Sequence, residues 1–135
     1  MELSPGTLFL WDWKYSTSFA DMDFLHAAVL LTRIVSKPGK ELLCLDLGHK
    51  AVASEMPQPR VKLLGLRNYT VTGHNEEHMV IRTAEADKFK TGDHLYGIPF
   101  HICPTVDRYS TVTTVTNHLA KGEWEVIARN RKITI

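Results

Sequence analysis

The chain has 135 residues, enough for one domain with a hydrophobic core, and 44% of them are hydrophobic. Its formal net charge is only +1, which argues against the clustered basic face that nucleic-acid binding requires. The longest apolar run, 27–31, is far shorter than the roughly 20 residues of a membrane span, and the N-terminal segment lacks the basic start of a signal peptide. Composition therefore predicts one domain that binds neither nucleic acid nor membrane, with both cysteines as reduced thiols in the cytoplasm.

Alternation of apolar and polar residues with a period of two predicts that most of the chain forms short strands. In chain order, the predicted strands are 7–14, 28–36, 41–47, 69–72, 78–83, 93–98, 109–116, 124–128 and 132–135. Turns are predicted at the Pro-Gly pair 38–39 and around Gly122, and a tight loop at 87–90. Helical signals are limited to short turns at 18–25 and 48–54. The pattern favours a mainly β fold, a single antiparallel sandwich or closed barrel with one or two short helical turns.

The residues most suited to chemistry are His101 and Cys103, which lie two positions apart between Pro99 and Pro104. In an extended backbone, side chains at i and i+2 leave the same face about 7 Å apart. Imidazole and thiolate are typical zinc donors, so this spacing can direct two ligands at one metal ion. Two ligands are too few for a closed structural site, and a metal bound here would keep open positions. The pair is also compatible with an incidental surface histidine beside a buried cysteine.

Two further polar clusters follow apolar segments. Asp-Leu-Gly-His-Lys occupies 46–50 at the end of a predicted strand, and Asn-Glu-Glu-His occupies 75–78 at the start of another. In this order with the His-x-Cys pair, the clusters resemble the C-terminal domain of the D-threonine aldolase and D-serine dehydratase family. The resemblance extends to Leu-Ser-Pro-Gly-Thr at 3–7, Gly-Asp at 92–93 and the closing segment 124–131, and so covers essentially the whole chain.

The resemblance implies a β-domain like the C-terminal domain of alanine racemase, attached to an N-terminal barrel that holds pyridoxal phosphate. Such a barrel takes on the order of 200 residues, so residues 1–135 would be only the C-terminal β-domain of a longer enzyme, and Met1 would not be a native start. No residue here is expected to bind pyridoxal phosphate, and the chain alone is expected to be inactive. The partners implied are the N-terminal barrel domain, a second subunit in a homodimer and the substrate.

The resemblance also implies roles for individual residues. His101 and Cys103 would bind a divalent metal that coordinates the β-hydroxyl of the substrate, and the thiolate favours zinc over manganese. His78 is a candidate catalytic residue near the metal or substrate. Glu77 could orient His78 or a metal ligand, or be a solvated charge. For the remaining candidates, Lys50 could bind a substrate carboxylate, or could pair with Asp46 to hold the turn where Gly48 supplies an unusual backbone angle.

The sequence therefore predicts the metal-binding domain of a pyridoxal-phosphate-dependent lyase that acts on D-3-hydroxy amino acids, in the manner of D-threonine aldolase. The same metal loop would serve a zinc-dependent D-serine dehydratase, which is the first alternative. An alternative of another class is a non-enzymatic β-barrel module that binds a partner, in which the His-x-Cys pair is incidental.

Overall fold

The computed structural model describes residues 6–130 and 132, and this part of the chain folds mainly as antiparallel β-structure. Its strands are β1 (Leu30–Gly39), β2 (Leu42–Leu45), β3 (Val61–Leu63), β4 (Thr70–His74), β5 (Met79–Arg82), β6 (His94–Pro99), β7 (Thr111–Thr116) and β8 (Leu119–Glu125). Its helices are α1 (Trp13–Ser18), α2 (Cys103–Val106) and three 3₁₀ turns at Thr7–Phe9, Ala86–Lys88 and Ile127–Asn130. The mainly β fold predicted from the alternation is confirmed. No helix in the described ranges is long and apolar enough to cross a membrane.

Six of the predicted strands are confirmed, with their ends displaced by a few residues. They correspond to β1, β2, β4, β5, β6 and β7. The sequence missed β3, which is only three residues long and follows the prolines at 57 and 59. Three residues are too few for an alternating pattern to stand out from the surrounding loop.

Six strands form one curled sheet, half of a barrel, in the order β3-β6-β1-β2-β5-β4, with every neighbouring pair antiparallel. Alternate side chains of its strands build the core, because successive residues of a strand face opposite sides of the sheet. Those with no exposed surface include Ile34, Leu43, Leu45, Val61, Met79 and Ile81. Cys44 lies between two of these core leucines and is only half-buried.

The two edge strands of the sheet are joined by side chains rather than by backbone pairing, and Tyr69 makes two of these contacts. The hydroxyl of Tyr69, immediately before β4, donates to the carbonyl of Val61 in β3 and accepts a bond of 3.2 Å from the Leu63 amide. Burial raises the pKa of Tyr69, which keeps the phenol protonated as a donor. Within the described residues, the closed barrel expected from the strand pattern is therefore an open sheet whose edges meet through side chains.

The strand predicted at 7–14 is wrong, because this segment is helical. A 3₁₀ turn leads into α1, and Trp11 has a left-handed φ of 51° at the junction. The carboxylate of Asp12 caps α1 by accepting from the Tyr15 amide at 2.9 Å, which satisfies a helical N–H that has no partner within the helix. The short turn predicted at 18–25 is present just after α1 ends at Ser18, where the Met22 amide donates to the Phe19 carbonyl at 3.1 Å.

The last two strands form a separate hairpin, β7 paired with β8. Its turn consists of Asn117 and His118, whose positive φ values of 50° and 64° suit a tight two-residue hairpin. Gly122, which the sequence suggested as the turn, lies inside β8 opposite Thr114. Trp124 is 72% exposed on this hairpin, so it does not belong to the core.

The end of the chain departs from its predicted strands. The strand predicted at 124–128 is correct only as far as Glu125, where β8 ends, and a 3₁₀ turn spans Ile127–Asn130. Of the strand predicted at 132–135, only Lys132 lies within the described residues, where it belongs to no strand.

Candidate functional site

The His-x-Cys pair lies at the transition from β6 to α2. β6 ends at Pro99, and α2 begins at Cys103 with Pro104 in its first turn, where a missing amide N–H breaks no helical hydrogen bond. Ile102, between the two candidate ligands, has helical angles of φ −73° and ψ −38°. The extended backbone assumed from the i, i+2 spacing is therefore wrong, and the side chains of His101 and Cys103 leave a turn at the start of a helix.

One buried carboxylate fixes this turn to the N-terminal helix. Asp12 has no exposed surface, and while its Oδ1 caps α1, its Oδ2 accepts from the amide of Ile102 at 3.0 Å. The amide of Lys14 donates to the carbonyl of Phe100 at 3.1 Å, and the Phe100 and Trp13 rings meet edge to face at 5.5 Å. Because a hydrogen bond to a charged group is among the stronger ones, these contacts hold the turn in one conformation.

The imidazole of His101 is paired with a carboxylate from a distant loop. Its Nδ1 lies 2.6 Å from Oε1 of Glu55, which precedes β3. Partial burial acts to raise the pKa of Glu55, but the hydrogen bonds from its own backbone and from His101, with the charges of His101 and Arg108, outweigh it. The net pKa of this carboxyl is lower than usual. Glu55 is therefore an ionised acceptor for the imidazole N–H.

The thiol of Cys103 also has a polar neighbour. Its Sγ lies 3.2 Å from the hydroxyl oxygen of Thr7, a residue that is 6% exposed. His101 and Cys103 line the same open groove, which has a volume of about 520 Å³. The other residues lining this groove are Glu55, Pro104, Val106, Asp107, Val126 and Ala128. The groove brings the two candidate ligands to one surface, as the sequence predicted, and adds Glu55 beside them.

The donor set in the groove can hold a metal ion only in part. Over residues 6–130 and 132, no group of three or more His, Cys, Asp or Glu side chains is arranged to hold a metal. The pair of imidazole and thiolate donors fits a soft divalent ion with open coordination positions. Nε2 of His101 has no hydrogen-bond partner among the described residues, so its lone pair remains available while Nδ1 faces Glu55.

The two other polar clusters pack against each other. The turn that begins at Gly48 lies against the turn between β4 and β5, where the amides of His49 and Lys50 donate to the carbonyls of Asn75 and Glu76 at 2.8 and 3.0 Å. A Cβ added at Gly48 would lie 2.1 Å from the Glu76 carbonyl oxygen. Glycine is needed here because of this close approach of two backbones, not because of the unusual backbone angle that the sequence suggested. The single turn expected at 48–54 is present as hydrogen bonds back to the Gly48 carbonyl.

The side chains of this second region find partners among themselves. Lys50 Nζ lies 2.5 Å from Oε1 of Glu77 and 3.3 Å from Oε2 of Glu76. The hydrogen bond to Glu77, followed by that to Glu76, raises the pKa of Lys50. His78 is exposed, and its backbone amide bonds to the side chain of Asn75. The structure therefore pairs Glu77 with Lys50, and none of the hydrogen bonds or ion pairs described for these residues reaches the groove.

Asp46 is placed on yet another surface. Its Oδ1 accepts from the hydroxyl of Thr32 at 2.8 Å and from the amide of Arg33 at 2.6 Å. The structural pair of Asp46 with Lys50, which the sequence suggested, does not form, since each has other partners. Asp46 thus fastens the end of β2 to β1.

A cluster that the sequence gave no reason to expect surrounds Arg60. Its Nη1 lies 3.2 Å from Nε2 of His49 and 3.0 Å from Nδ1 of His74, and its Nε donates to the carbonyl of Met56. The two imidazole rings are 4.3 Å apart. Partial burial, then the charges of His49 and Arg60, lower the pKa of His74 to about 4. Two loop residues and the last residue of β4 meet here, with His49 and His74 separated from Arg60 by 11 and 14 positions, so no short motif marks them.

Comparison with known proteins places these features in a family context. A family model described as the putative serine dehydratase domain matches residues 27–115. A D-threonine aldolase of Arthrobacter sp is 28% identical over 131 residues, which are 95% of this chain and 34% of that protein. The chain therefore spans about a third of the length of this relative.

Solved structures share the fold at low sequence identity. A D-threonine aldolase from Filomicrobium marinum matches with a TM-score of 0.81 and 20% identity, covering 95% of this chain and 35% of that one. An alanine-racemase-like protein from Idiomarina loihiensis matches with a TM-score of 0.65 and 19% identity, over 76% of this chain and 32% of its own. A metal-free Cys→Ala variant of D-threo-3-hydroxyaspartate dehydratase matches with a TM-score of 0.62 and 18% identity, over 74% of this chain and 32% of its own.

Proposed function

Because the chain belongs to the family of putative serine dehydratase domains, we propose that it is the metal-binding domain of a pyridoxal-phosphate-dependent lyase for D-3-hydroxy amino acids. The family model spans well over half of the chain, and the resemblance predicted from its three motifs is thereby confirmed. The aldolase-type reaction is favoured, since the similar curated protein is a D-threonine aldolase.

The observation that carries the proposal is the placement of His101 and Cys103 on one groove. The turn that holds them is fixed by a fully buried carboxylate, and the Nδ1 of the imidazole is already engaged by Glu55. Two solved variants of D-threo-3-hydroxyaspartate dehydratase add support. In one a histidine and in the other a cysteine two positions later is replaced by alanine, and the cysteine variant is described as metal-free. That spacing is the spacing of the pair in this chain.

The chemistry assigned to this chain is binding and orientation. Nε2 of His101 and Sγ of Cys103 would hold a divalent metal, and zinc is favoured because a thiolate is a soft ligand. When bound, such an ion supplies a Lewis acid for the β-hydroxyl of the substrate. The open groove beside the two ligands leaves room for that hydroxyl, and Asp12 keeps the ligand-bearing turn in place.

The rest of the enzyme belongs to the proposal as well. Since the chain spans about a third of its curated relative, the remaining length would carry the pyridoxal phosphate, which stabilises the carbanion. We assign the missing part to an N-terminal barrel domain, with a homodimer as the working assembly. Both cysteines of the chain are free, in agreement with a reducing, cytoplasmic location.

A zinc-dependent dehydratase is the second candidate. It is favoured by the cysteine itself, because a thiolate ligand suits zinc better than manganese. It is also favoured by the matching His and Cys variants of the hydroxyaspartate dehydratase. In that case the same two ligands would serve loss of the β-hydroxyl as hydroxide rather than its deprotonation.

The test is metal content and product formation in the full-length enzyme, supplied with pyridoxal phosphate and with zinc or manganese. Cys103→Ser is expected to lower zinc occupancy and turnover by about 100-fold or more, because a hydroxyl is a poor zinc ligand at neutral pH. Cys44→Ala, at the half-buried cysteine of β2, is the matched control and should keep its zinc.

The products distinguish the two candidates. Glycine and acetaldehyde from D-threonine would identify an aldolase, and pyruvate and ammonia from D-serine a dehydratase. Unchanged zinc content in Cys103→Ser would refute the metal site. A zinc-loaded enzyme that forms neither set of products would refute the lyase.

A further inference from the structure

A carboxylate in contact with the proposed metal ligand His101 comes from a loop that the sequence did not single out. Glu55 lies between the turn at Gly48 and β3, and it is separated from His101 by 46 positions. The sequence instead suggested Glu77 as the acceptor that orients a ligand, but Glu77 binds Lys50. A histidine that binds a metal usually donates its other ring N–H to an oxygen, which fixes its tautomer and ring orientation. In this chain the geometry for that donation exists at Glu55.

The loop of Glu55 and the turn of His101 are locked together by a buried hydroxyl. Oγ1 of Thr105, which is 1% exposed, donates to the His101 carbonyl at 2.7 Å and accepts from the Ala53 amide at 3.2 Å. A second bond, from the hydroxyl of Tyr109 to the carbonyl of Ala51 at 2.8 Å, anchors the preceding part of the same loop. The distance between carboxylate and imidazole is therefore set by the buried frame of the fold rather than by a chance contact of two surface side chains.

The contact with the carboxylate involves one ring nitrogen of the imidazole. Oε1 of Glu55 lies 2.6 Å from Nδ1 of His101. With Nδ1 as the donor, Nε2 carries the lone pair, and Glu55 and His101 line the groove together with Cys103.

We infer that Glu55 is a positioning residue that holds His101 in the Nδ1–H tautomer and so presents Nε2 of the imidazole as a ligand beside Cys103. The inference rests on the proposed metal-binding function and adds a residue to it. Glu55 does not ligate the metal; it acts through His101. Its removal should leave the fold intact, because the Glu55 side chain is 43% exposed.

The first measurement is the tautomer of His101 in the metal-free 135-residue chain, labelled with ¹⁵N. Long-range proton–nitrogen correlation spectra, recorded at about pH 8.5 so that an ordinary imidazole is neutral, separate protonated from unprotonated ring nitrogens. The chain has seven histidines, and the signal that disappears in His101→Gln identifies the relevant ring. We expect a protonated Nδ1 in the wild type and a shift toward protonated Nε2 in Glu55→Ala. Exposed Glu41 supplies the control Glu41→Ala, which should leave the spectrum of His101 unchanged.

The second measurement is zinc affinity of the same proteins by calorimetric titration. Loss of the carboxylate partner of a ligating histidine typically weakens metal binding about 10–100-fold. We expect a decrease in zinc affinity of about this size for Glu55→Ala and an unchanged zinc affinity for Glu41→Ala. Glu55→Gln keeps an oxygen acceptor without the charge and should fall between the wild type and Glu55→Ala. Circular dichroism and the unfolding midpoint of each variant show whether the fold is retained.

The two measurements separate the failure of this inference from the failure of the proposed function. If His101 has the same tautomer in the wild type and in Glu55→Ala, or if both bind zinc equally well, Glu55 is not a positioning residue. If the wild type does not bind zinc although the tautomer depends on Glu55, the metal-binding function is refuted and the role of Glu55 toward a metal is refuted with it.

Discussion

The chain holds two imidazole sites whose surroundings differ in one respect. At the groove, the only ring contact described for His101 is that of Nδ1 with Glu55, which leaves Nε2 available. In the cluster around Arg60, His74 uses both ring nitrogens, because Gln58 and Arg60 lie 2.9 and 3.0 Å from Nδ1 and the Leu47 carbonyl lies 3.1 Å from Nε2. The two sites therefore differ in whether a ring nitrogen is left without a hydrogen-bond partner among the described residues, which a metal ligand requires, and not in the number of nearby histidines.

Charge separates the two sites in the same way. The partner of His101 is an ionised carboxylate, which stabilises a donating imidazole. The partner of His49 and His74 is a guanidinium, and partial burial together with positive neighbours lowers the pKa of His74 to about 4. The groove at His101 is therefore suited to bind a cation. The cluster around Arg60 repels cations and is suited to a structural role. The following substitutions test that contrast, from the largest expected effect to the smallest.

Arg60→Ala should cause the largest loss of stability. It removes the guanidinium donor from Nε2 of His49 and from the Met56 carbonyl, while Gln58 remains beside Nδ1 of His74. An acceptor left without a partner costs about 1–3 kcal/mol. Urea denaturation at pH 7 measures the change in the free energy of unfolding. The control is Arg82→Ala, at an exposed position of β5, for which we expect less than about 0.5 kcal/mol. Equal effects of the two substitutions would mean that the cluster is not structural.

His74→Gln should change how stability depends on pH. In the folded chain the pKa of His74 is about 4, below the unfolded value of 6.5, so the unfolded chain binds the extra proton as pH falls through this window. Protonation of His74 therefore has no effect on the free energy of unfolding above pH 6.5, and it lowers this free energy as the pH falls toward 4. Because the ring is half-exposed, solvent screening limits the contribution to about 1 kcal/mol.

Unfolding midpoints at several pH values between 4 and 7 check this prediction. The unfolding midpoint of His74→Gln should fall less steeply than that of the wild type as the pH is lowered. His78→Gln, at an exposed turn, should show the same dependence on pH as the wild type. If His74→Gln and the wild type have the same slope, His74 is not held neutral by the cluster.

Lys50→Ala should have the smallest effect. Its ammonium is exposed and shared between Glu76 and Glu77, and exposed ion pairs contribute little to stability. We expect the unfolding midpoint of the chain to stay at its wild-type value and, under the proposed aldolase function, the KM of the full-length enzyme for D-threonine as well. A large rise in KM would instead support the substrate-carboxylate role suggested for Lys50 by the sequence.

The alternation of apolar and polar residues was enough to predict the mainly β fold and six of its strands. When one face of a sheet is buried, every second residue of each strand is apolar. The motif His-x-Cys between prolines also identified, without any structure, the two side chains that line the groove. Both patterns involve residues that are close together in the chain, and such patterns can be recognised in a single sequence.

The tertiary structure decided everything that depends on residues far apart in sequence. The Asp12 carboxylate turned an alternating segment into a capped helix and fixed the amide of Ile102, 90 positions away. Glu55 meets His101 across 46 positions because the hydroxyl of Thr105 joins their loops. A hydrogen bond between distant segments leaves no spacing pattern in the chain, since only the fold sets the distance between its two ends.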